Sequence, residues 1–357
     1  MFARPWAAKG ATFSCVGGTM VGAGTVRTVR DWLVAADDRT GAFEVAGLLA
    51  NVVGPVAVTV GTAPVGNGVV DLGSRALAPA SATARAAAID EHPSVWAAHK
   101  IDSTLRGQWA GELLARQAVS GRRVVVLPGW PELGRTCVDG MVYAHGTPVG
   151  RPADALPGAD SLAGAAALRA WLDGDGRIAV CDVPDSDTMH ALAAEIVGAD
   201  LLVAGPGGSL GAAFAAHIGA RSAPFSSPPL GSAIFVICGS ANAVSHEQLW
   251  RLSVARPDVA ILLVPMAEGE LQPEFATALA EQAADRIAHI RPDTIILIGG
   301  DTAAALLGDA PRWVGGFVAP GMPWSCDEVG GGPIVVTKAG GFGGPDALVD
   351  LLRGETV

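Results

Sequence analysis

The 357-residue chain carries 24 lysines and arginines against 35 aspartates and glutamates, a formal charge of −11, which argues against nucleic acid or an anionic membrane as its main partner. Half of the residues are hydrophobic and 17% are charged, which excludes a disordered chain and calls for a large buried core. The length suits two domains better than one. Residues 1–30 are glycine-rich and irregular and lack the compact apolar stretch of a leader. They are expected to form a loose N-terminal extension. Beyond them, β-rich apolar runs alternate with Ala/Leu-rich segments of helical spacing. The pattern predicts strands at 32–36, 52–60, 95–100, 124–127, 178–181 and 201–204, with helices at 41–50, 81–91, 107–118, 161–173, 186–197 and 209–218. A Pro/Ser-rich stretch at 220–231 interrupts the alternation and reads as an interdomain linker. The alternation then resumes, with strands at 234–238, 259–264, 294–298, 313–318 and 333–337 and helices at 242–254, 273–289, 302–308 and 345–352. The expected architecture is α/β, in two lobes at 31–223 and 224–357. Each is a largely parallel sheet flanked by helices, and a ligand cleft is expected between them.

Five cysteines, Cys15, Cys137, Cys181, Cys238 and Cys326, are scattered without CxxC or CxxH pairs. They support neither a zinc site nor a disulfide framework and read as buried thiols of a cytoplasmic protein. No apolar run is long enough to cross a bilayer.

Chemistry concentrates where strands end. Ala36-Asp37-Asp38-Arg39-Thr40-Gly41-Ala42 follows the first strand and opens a helix. One of its carboxylates can cap that helix while the other faces a hydroxylated ligand; the plain alternative is that both are helix-start residues. Lys100-Ile101-Asp102-Ser103-Thr104-Leu105-Arg106-Gly107 packs two cations, an acid and two hydroxyls into one turn, a set suited to an anionic polyol. Only three lysines occur, Lys9, Lys100 and Lys338, and two of them sit in such turns. Asp71-Leu72-Gly73-Ser74-Arg75 offers Arg75 as a second anion clamp, or simply as a turn arginine. Three glycine turns lie in the second lobe: Cys238-Gly239-Ser240-Ala241-Asn242, Gly299-Gly300-Asp301-Thr302-Ala303 and Lys338-Ala339-Gly340-Gly341-Phe342-Gly343-Gly344. Each joins an apolar strand to a helix and can present main-chain N–H groups to phosphate. None fits the Walker A pattern, and the run Gly205-Pro206-Gly207-Gly208-Ser209-Leu210-Gly211 has the wrong spacing for a dinucleotide fingerprint, which disfavours a nicotinamide-dependent dehydrogenase.

Taken together, ADDRTGA at 36–42, LGSRAL at 72–77, KIDSTLRG at 100–107, PELGRTCVDG at 131–140, CGSAN at 238–242, GGDTA at 299–303 and KAGGFG at 338–343 resemble, in order, the motifs of the four-carbon acid sugar kinase family. The resemblance implies an N-terminal lobe for the acid sugar and a C-terminal lobe for ATP. The implied reaction is ATP-dependent phosphorylation of the terminal hydroxyl of a threonate-, erythronate- or 3-oxo-tetronate-like acid, with Mg²⁺ accompanying the nucleotide. On this basis Asp37, Arg75, Lys100, Ile101, Ser103 and Arg106 are expected on the substrate side, with Asp38 or Asp102 handling the reacting hydroxyl. Ser240, Gly299, Gly300, Asp301, Thr302, Gly340 and Gly341 are expected on the ATP side, and no metal-ligating side chain is singled out. Two departures stand out: Arg39 replaces a usually apolar residue, and the chain is short between Gly239 and Gly299. They keep a second reading open, a nucleotide or metabolite sensor of the same fold without turnover. Homo-oligomeric assembly is left open.

Overall fold

The computed structural model describes residues 30–91, 93–219, 228, 230–263, 273–327 and 332–354. The expected extension lies outside these residues up to position 29, as do Cys15, Lys9 and most of the expected linker. The chain divides into two compact units, one within Val29–Pro224 and one containing Phe225–Val357.

The N-terminal unit runs β1 (Arg30–Ala36), α1 (Arg39–Val53), β2 (Val56–Val60), β3 (Gly68–Asp71), α2 (Pro79–Ile89), β4 (Ser94–Lys100), α3 (Trp109–Ser120) and β5 (Arg123–Val126). It continues with β6 (Arg135–Val138), β7 (Met141–Ala144), β8 (Thr147–Gly150), β9 (Asp160–Leu162), α4 (Gly164–Leu172), β10 (Ile178–Cys181), α5 (Ser186–Glu195), β11 (Leu201–Gly205) and α6 (Gly207–Ile218). Its main sheet has the order β2-β3-β1-β4-β11-β5-β10-β9, with every pairing parallel. Buried on both faces, its strands read as continuous apolar runs such as Ile178-Ala179-Val180-Cys181 rather than as alternating ones. Helices α2 and α3 pack together, as do α1, α6, α5 and α4 in sequence. Strand register sets which turns come together. Ala36 lies opposite both Asp71 and Lys100, and Lys100 lies opposite Gly205, so four carboxyl ends stand level. The order reverses between β1 and β4, the switch point where open α/β sheets bind ligands.

Two expectations are corrected. The strand expected at 52–60 begins only at Val56, because α1 extends to Val53 before Gly54 turns the chain at φ 82°. Residues 135–150, of which only 135–140 fall in a motif and none in an expected strand, form an antiparallel meander of β6, β7 and β8; their strands are four residues each, too short for a periodic signal.

The C-terminal unit comprises β12 (Ile234–Cys238), α7 (Ala243–Ala255), β13 (Ala260–Leu263), α8 (Pro273–Ile290), β14 (Thr294–Ile298), α9 (Gly300–Leu307), β15 (Arg312–Ala319), β16 (Met322–Cys326), β17 (Ile334–Lys338) and α10 (Ala347–Arg353). Its strands take the order β13-β12-β14-β17-β16-β15. The first four are parallel, whereas β16, absent from the expected elements, runs antiparallel to both neighbours. One apolar core lies under α7 and α10, and a second lies under α8 and α9. Cys238 is level with Ile298, and Ile298 with Lys338, so the three glycine turns leave the sheet side by side.

Candidate active site

At the β1/β4 switch point the N-terminal unit gathers a charged network. Asp38 caps α1: its Oδ1 accepts from Gly41 N at 2.8 Å, and its Oδ2 accepts from Arg75 Nη1 at 2.7 Å. Asp37, fully buried, takes Arg75 in a two-pronged pair, from Nε at 2.8 Å and Nη2 at 3.0 Å. Arg75 Nη2 also lies 3.3 Å from Asp102 Oδ2. One guanidinium thus bridges three carboxylates, a use that its planar fork allows and an ammonium does not. Burial first, then the Asp38 charge, push the Asp37 carboxyl upward against the pull of Arg75.

Asp102 organises its own turn. Its Oδ1 accepts from Thr104 N at 2.9 Å and Thr104 Oγ1 at 2.5 Å, and its Oδ2 accepts from Arg106 Nη2 at 2.8 Å. Burial works to raise this carboxyl, but the bonds from Arg106 and Thr104 and the Arg75 charge outweigh it and hold Asp102 well below the usual range. The turn is strained at Leu105, whose φ is 60°, a backbone region that costs a branched side chain energy and is kept where function needs the shape. Arg106 remains the exposed cation, with 68% of its side chain accessible.

Lys100 is buried and its Nζ lies 3.5 Å from Glu44 Oε1. Burial alone would lower the ammonium, but Glu44, Asp37, Asp38 and Asp102 together raise it. Glu44 was not among the residues expected from the sequence. The signal for it was the spacing Gly41–Glu44 on α1, since positions i and i+3 share a helix face, and the Cα of Gly41 also backs onto Lys100 Nζ. Arg39 pairs with Asp71 at 2.7 Å, both buried. This places the unusual cation beside the network, on β3's last residue.

Ile101 is a correction: its side chain belongs to the core with Trp109 and Leu113, and its N–H extends the sheet to Gly205 O at 3.0 Å. Alternation along the strand sends it away from Lys100. Ser103 sits half-buried in the adjoining turn. Behind the network, Ser74, His99 and Glu112 are completely buried, with His99 Nε2 3.2 Å from Glu112 Oε2. Burial would raise Glu112, but the contacts from His99 and Ser74 and the Arg116 charge bring it below its ordinary value. Ser74 precedes Arg75, and the amides of both donate to Asp37 O, so this cluster braces the turn that carries the bridging guanidinium.

The C-terminal unit's turns meet one another closely. Thr302 Oγ1 accepts from Gly239 N at 3.0 Å, and Gly299, at φ 108°, brings its Cα against both Thr302 and Ser240. A Cβ on Gly340 would overlap Ser240 Oγ, so only glycine permits this approach. Helix α7 ties down the last turn: Ser245 Oγ donates to Gly340 O at 2.6 Å, and Gln248 Nε2 reaches Phe342 O at 3.0 Å and Gly344 O at 2.7 Å. Gln248, unremarked in the sequence, could have been found only by knowing that α7 lies over β17. Lys338 is 1% exposed and donates to Ala339 O and Gly340 O at 2.9 and 3.2 Å. Burial lowers it to about 8, with Cys238 opposing. Thr302, expected on the ATP side, is 1% exposed with its hydroxyl bonded to the Gly239 amide, and so it braces the turns from beneath. Asp301 is exposed in the first turn of α9, and Gly341 backs onto Asn242. Ser240, Gly299, Gly300 and Gly340 are half-buried, beside the amino ends of α7 and α9.

Among the described residues no group of three or more His, Cys, Asp or Glu side chains is placed to hold a metal ion; the acids of the N-terminal unit are matched with cations instead. Four cysteines, Cys137, Cys181, Cys238 and Cys326, are buried free thiols. Burial, helped by Asp182, pushes Cys137 and Cys181 up to about 12, which leaves them unreactive. No helix among the described residues is long and apolar enough to cross a membrane.

Comparison with known proteins bears on both units. Residues 32–156 match the family of sugar-binding N-terminal domains. The D-threonate kinase of Cupriavidus necator is 29% identical over 404 positions, covering 89% of this chain and 96% of the relative. The chain is thus similar, over most of its length, to a sugar acid kinase. Because 404 aligned positions exceed the 357 residues of the chain, the relative carries segments that this chain lacks. Two solved structures share the fold. A Haemophilus influenzae DUF1537 protein has a TM-score of 0.63 at 20% identity, covering 90% of this chain and 99% of its own. A Salmonella typhimurium LT2 protein has a TM-score of 0.65 at 19% identity, covering 91% and 99%.

Proposed function

We propose that this protein is an ATP-dependent kinase that phosphorylates the terminal hydroxyl of a four-carbon sugar acid of the threonate, erythronate or 3-oxo-tetronate class. The observation that carries the reading is the likeness to a D-threonate kinase over 89% of the chain, a span long enough to reach into both units. Phosphoryl transfer asks little covalent chemistry of a protein and much positioning and charge neutralisation. The accessible acids of the network, Asp38 and Glu44, accept hydrogen bonds from the substrate's hydroxyls, and Arg106 meets its carboxylate from the exposed side of the turn. Arg75 and Lys100 act from within, offsetting the charge of the three acids, with Arg75 bridging Asp37, Asp38 and Asp102. Amides of the turns at 240–241, 300–302 and 339–341 hold the phosphates of ATP. Mg²⁺ bound to those phosphates would offset their charge; among the described residues no group of three or more His, Cys, Asp or Glu side chains is placed to hold it as a resident ion.

The test is release of ADP from ATP across a panel of C4 and C3 sugar acids. Turnover with one or a few C4 acids is expected, with little ATP hydrolysis in their absence. ATP binding without turnover on any acid favours the sensor reading, which the missing segments recommend.

A further inference from the structure

The three acids at the switch point are all occupied, and that leaves the reaction without an obvious proton acceptor. Both oxygens of Asp37 face Arg75, and its side chain is fully buried. Asp38 spends one oxygen on the α1 cap and the other on Arg75. Asp102 accepts from Thr104 and Arg106 and touches Arg75. A carboxylate so heavily hydrogen-bonded is a weak base. Glu44 differs on each count. It projects from α1 into the same cluster, a quarter of its side chain is accessible, and among the described residues its one charged partner within ion-pair distance is Lys100 Nζ at 3.5 Å.

We propose that Glu44 is the catalytic base of the phosphoryl transfer, with Lys100 as its positioning partner. The assignment rests on the kinase reading above. In the step, the substrate's terminal hydroxyl oxygen attacks the γ-phosphorus of ATP, and a new O–P bond forms. The bond from that phosphorus to the β–γ bridging oxygen breaks, its electron pair leaves with ADP, and the hydroxyl proton passes to a Glu44 carboxylate oxygen. Lys100, held charged by four carboxylates, keeps Glu44 aimed and ionised. The groups facing Glu44 are Lys100 on β4, Asp102 just beyond it and Asp38 at the start of α1, while α6 presents the backbone of Gly207. Burial raises Glu44 against Lys100, its largest opposing influence, which moves it toward the pH where a carboxylate serves as a base.

Three proteins decide the matter: wild type, Glu44→Gln and Asp102→Asn, each checked for folding by its thermal midpoint and assayed for kcat and KM from pH 5 to 9. Wild type should lose kcat/KM as pH falls through an acid limb lying above the ordinary glutamate range. Glu44→Gln should lower kcat by about 10²-fold or more, leave KM within a few-fold and abolish the limb. Asp102→Asn should act mainly on KM and keep the limb. If Glu44→Gln fails to fold, Glu44→Asp serves instead: a withdrawn carboxylate should retain the limb at lowered kcat. Wild-type kcat in folded Glu44→Gln, or in Glu44→Asp where that variant stands in, overturns the assignment while leaving the kinase intact. Absence of turnover by wild type on every acid overturns the kinase reading, and this assignment with it.

Discussion

In the N-terminal unit the strand ends are crowded with charged side chains, Asp37, Asp38, Glu44, Arg75, Lys100, Asp102 and Arg106, whereas the same position in the C-terminal unit is lined by glycines above a single buried lysine. Both stand at the carboxyl edge of parallel strands, so the fold alone does not set the difference. A hydroxylated acid has a particular arrangement of donors and acceptors, which side chains can match. A polyphosphate is a dense anion that main-chain amides serve well, provided no Cβ stands in the way. The first site should therefore fail when a charge is removed, the second when an atom is added.

The largest effect is expected at Arg75. Arg75→Met would leave Asp37, Asp38 and Asp102 without their shared cation, and stranding buried charge costs about 3–5 kcal/mol. Activity should vanish and the thermal midpoint should fall, while ATP affinity, measured on the folded protein at low temperature, stays near wild type. Loss of ATP binding along with substrate binding would break the contrast between the units.

Next comes the addition of one carbon. Gly340→Ala should weaken ATP binding by roughly 10²-fold, about 2.7 kcal/mol, because its methyl meets Ser240 Oγ. Removing the obstacle in a Gly340→Ala, Ser240→Gly double variant should restore most of the loss. A lack of rescue in calorimetric titrations would mean that the turn's shape, not its contact with Ser240, was at fault.

A smaller effect is expected from Lys338. Its ammonium is lowered to about 8 by burial, so it is charged below that pH and neutral above it. ATP affinity should decline as pH rises through about 8, approaching tenfold weaker by pH 9, and Lys338→Met should be flat over the same range. A wild-type affinity that climbs with pH would reverse the sign and sink the argument. Buried in the core behind Arg75, Glu112→Gln should cost about 1–3 kcal/mol, read as a lower thermal midpoint. The smallest change belongs to the exposed Arg106: Arg106→Ala should raise the KM for the acid several-fold and leave kcat and ATP affinity alone.

Much of this was legible in the sequence. The strands ending at Ala36, Lys100, Cys238, Ile298 and Lys338 announced themselves because parallel strands buried on both faces are unbroken apolar runs, and the turns after them carried their chemistry in the open. Strand β16, Met322–Cys326, did not, since MPWSC has neither the run nor the alternation that would mark it. What the sequence withheld was mainly pairing. That Arg75 spends itself on three acids, that Thr302 faces a backbone amide and that Ile101 turns into the core depend on register between strands far apart in the chain. Glu44 and Gln248 were hidden differently, each a polar residue in a helix where solvent exposure is the ordinary expectation. Both became visible only once α1 and α7 were laid over the strands they cover.

The arginine bridge also bears on how a small acid would be captured. Acids and bases interleave within a few ångströms around Arg75, so little field escapes the N-terminal unit from that point, while the molecule as a whole is negative. On the proposed function, a sugar acid would arrive without long-range attraction. Its rate of capture should rise modestly with ionic strength as the repulsion from the net charge is screened, and should never show the fall with salt that marks electrostatic steering.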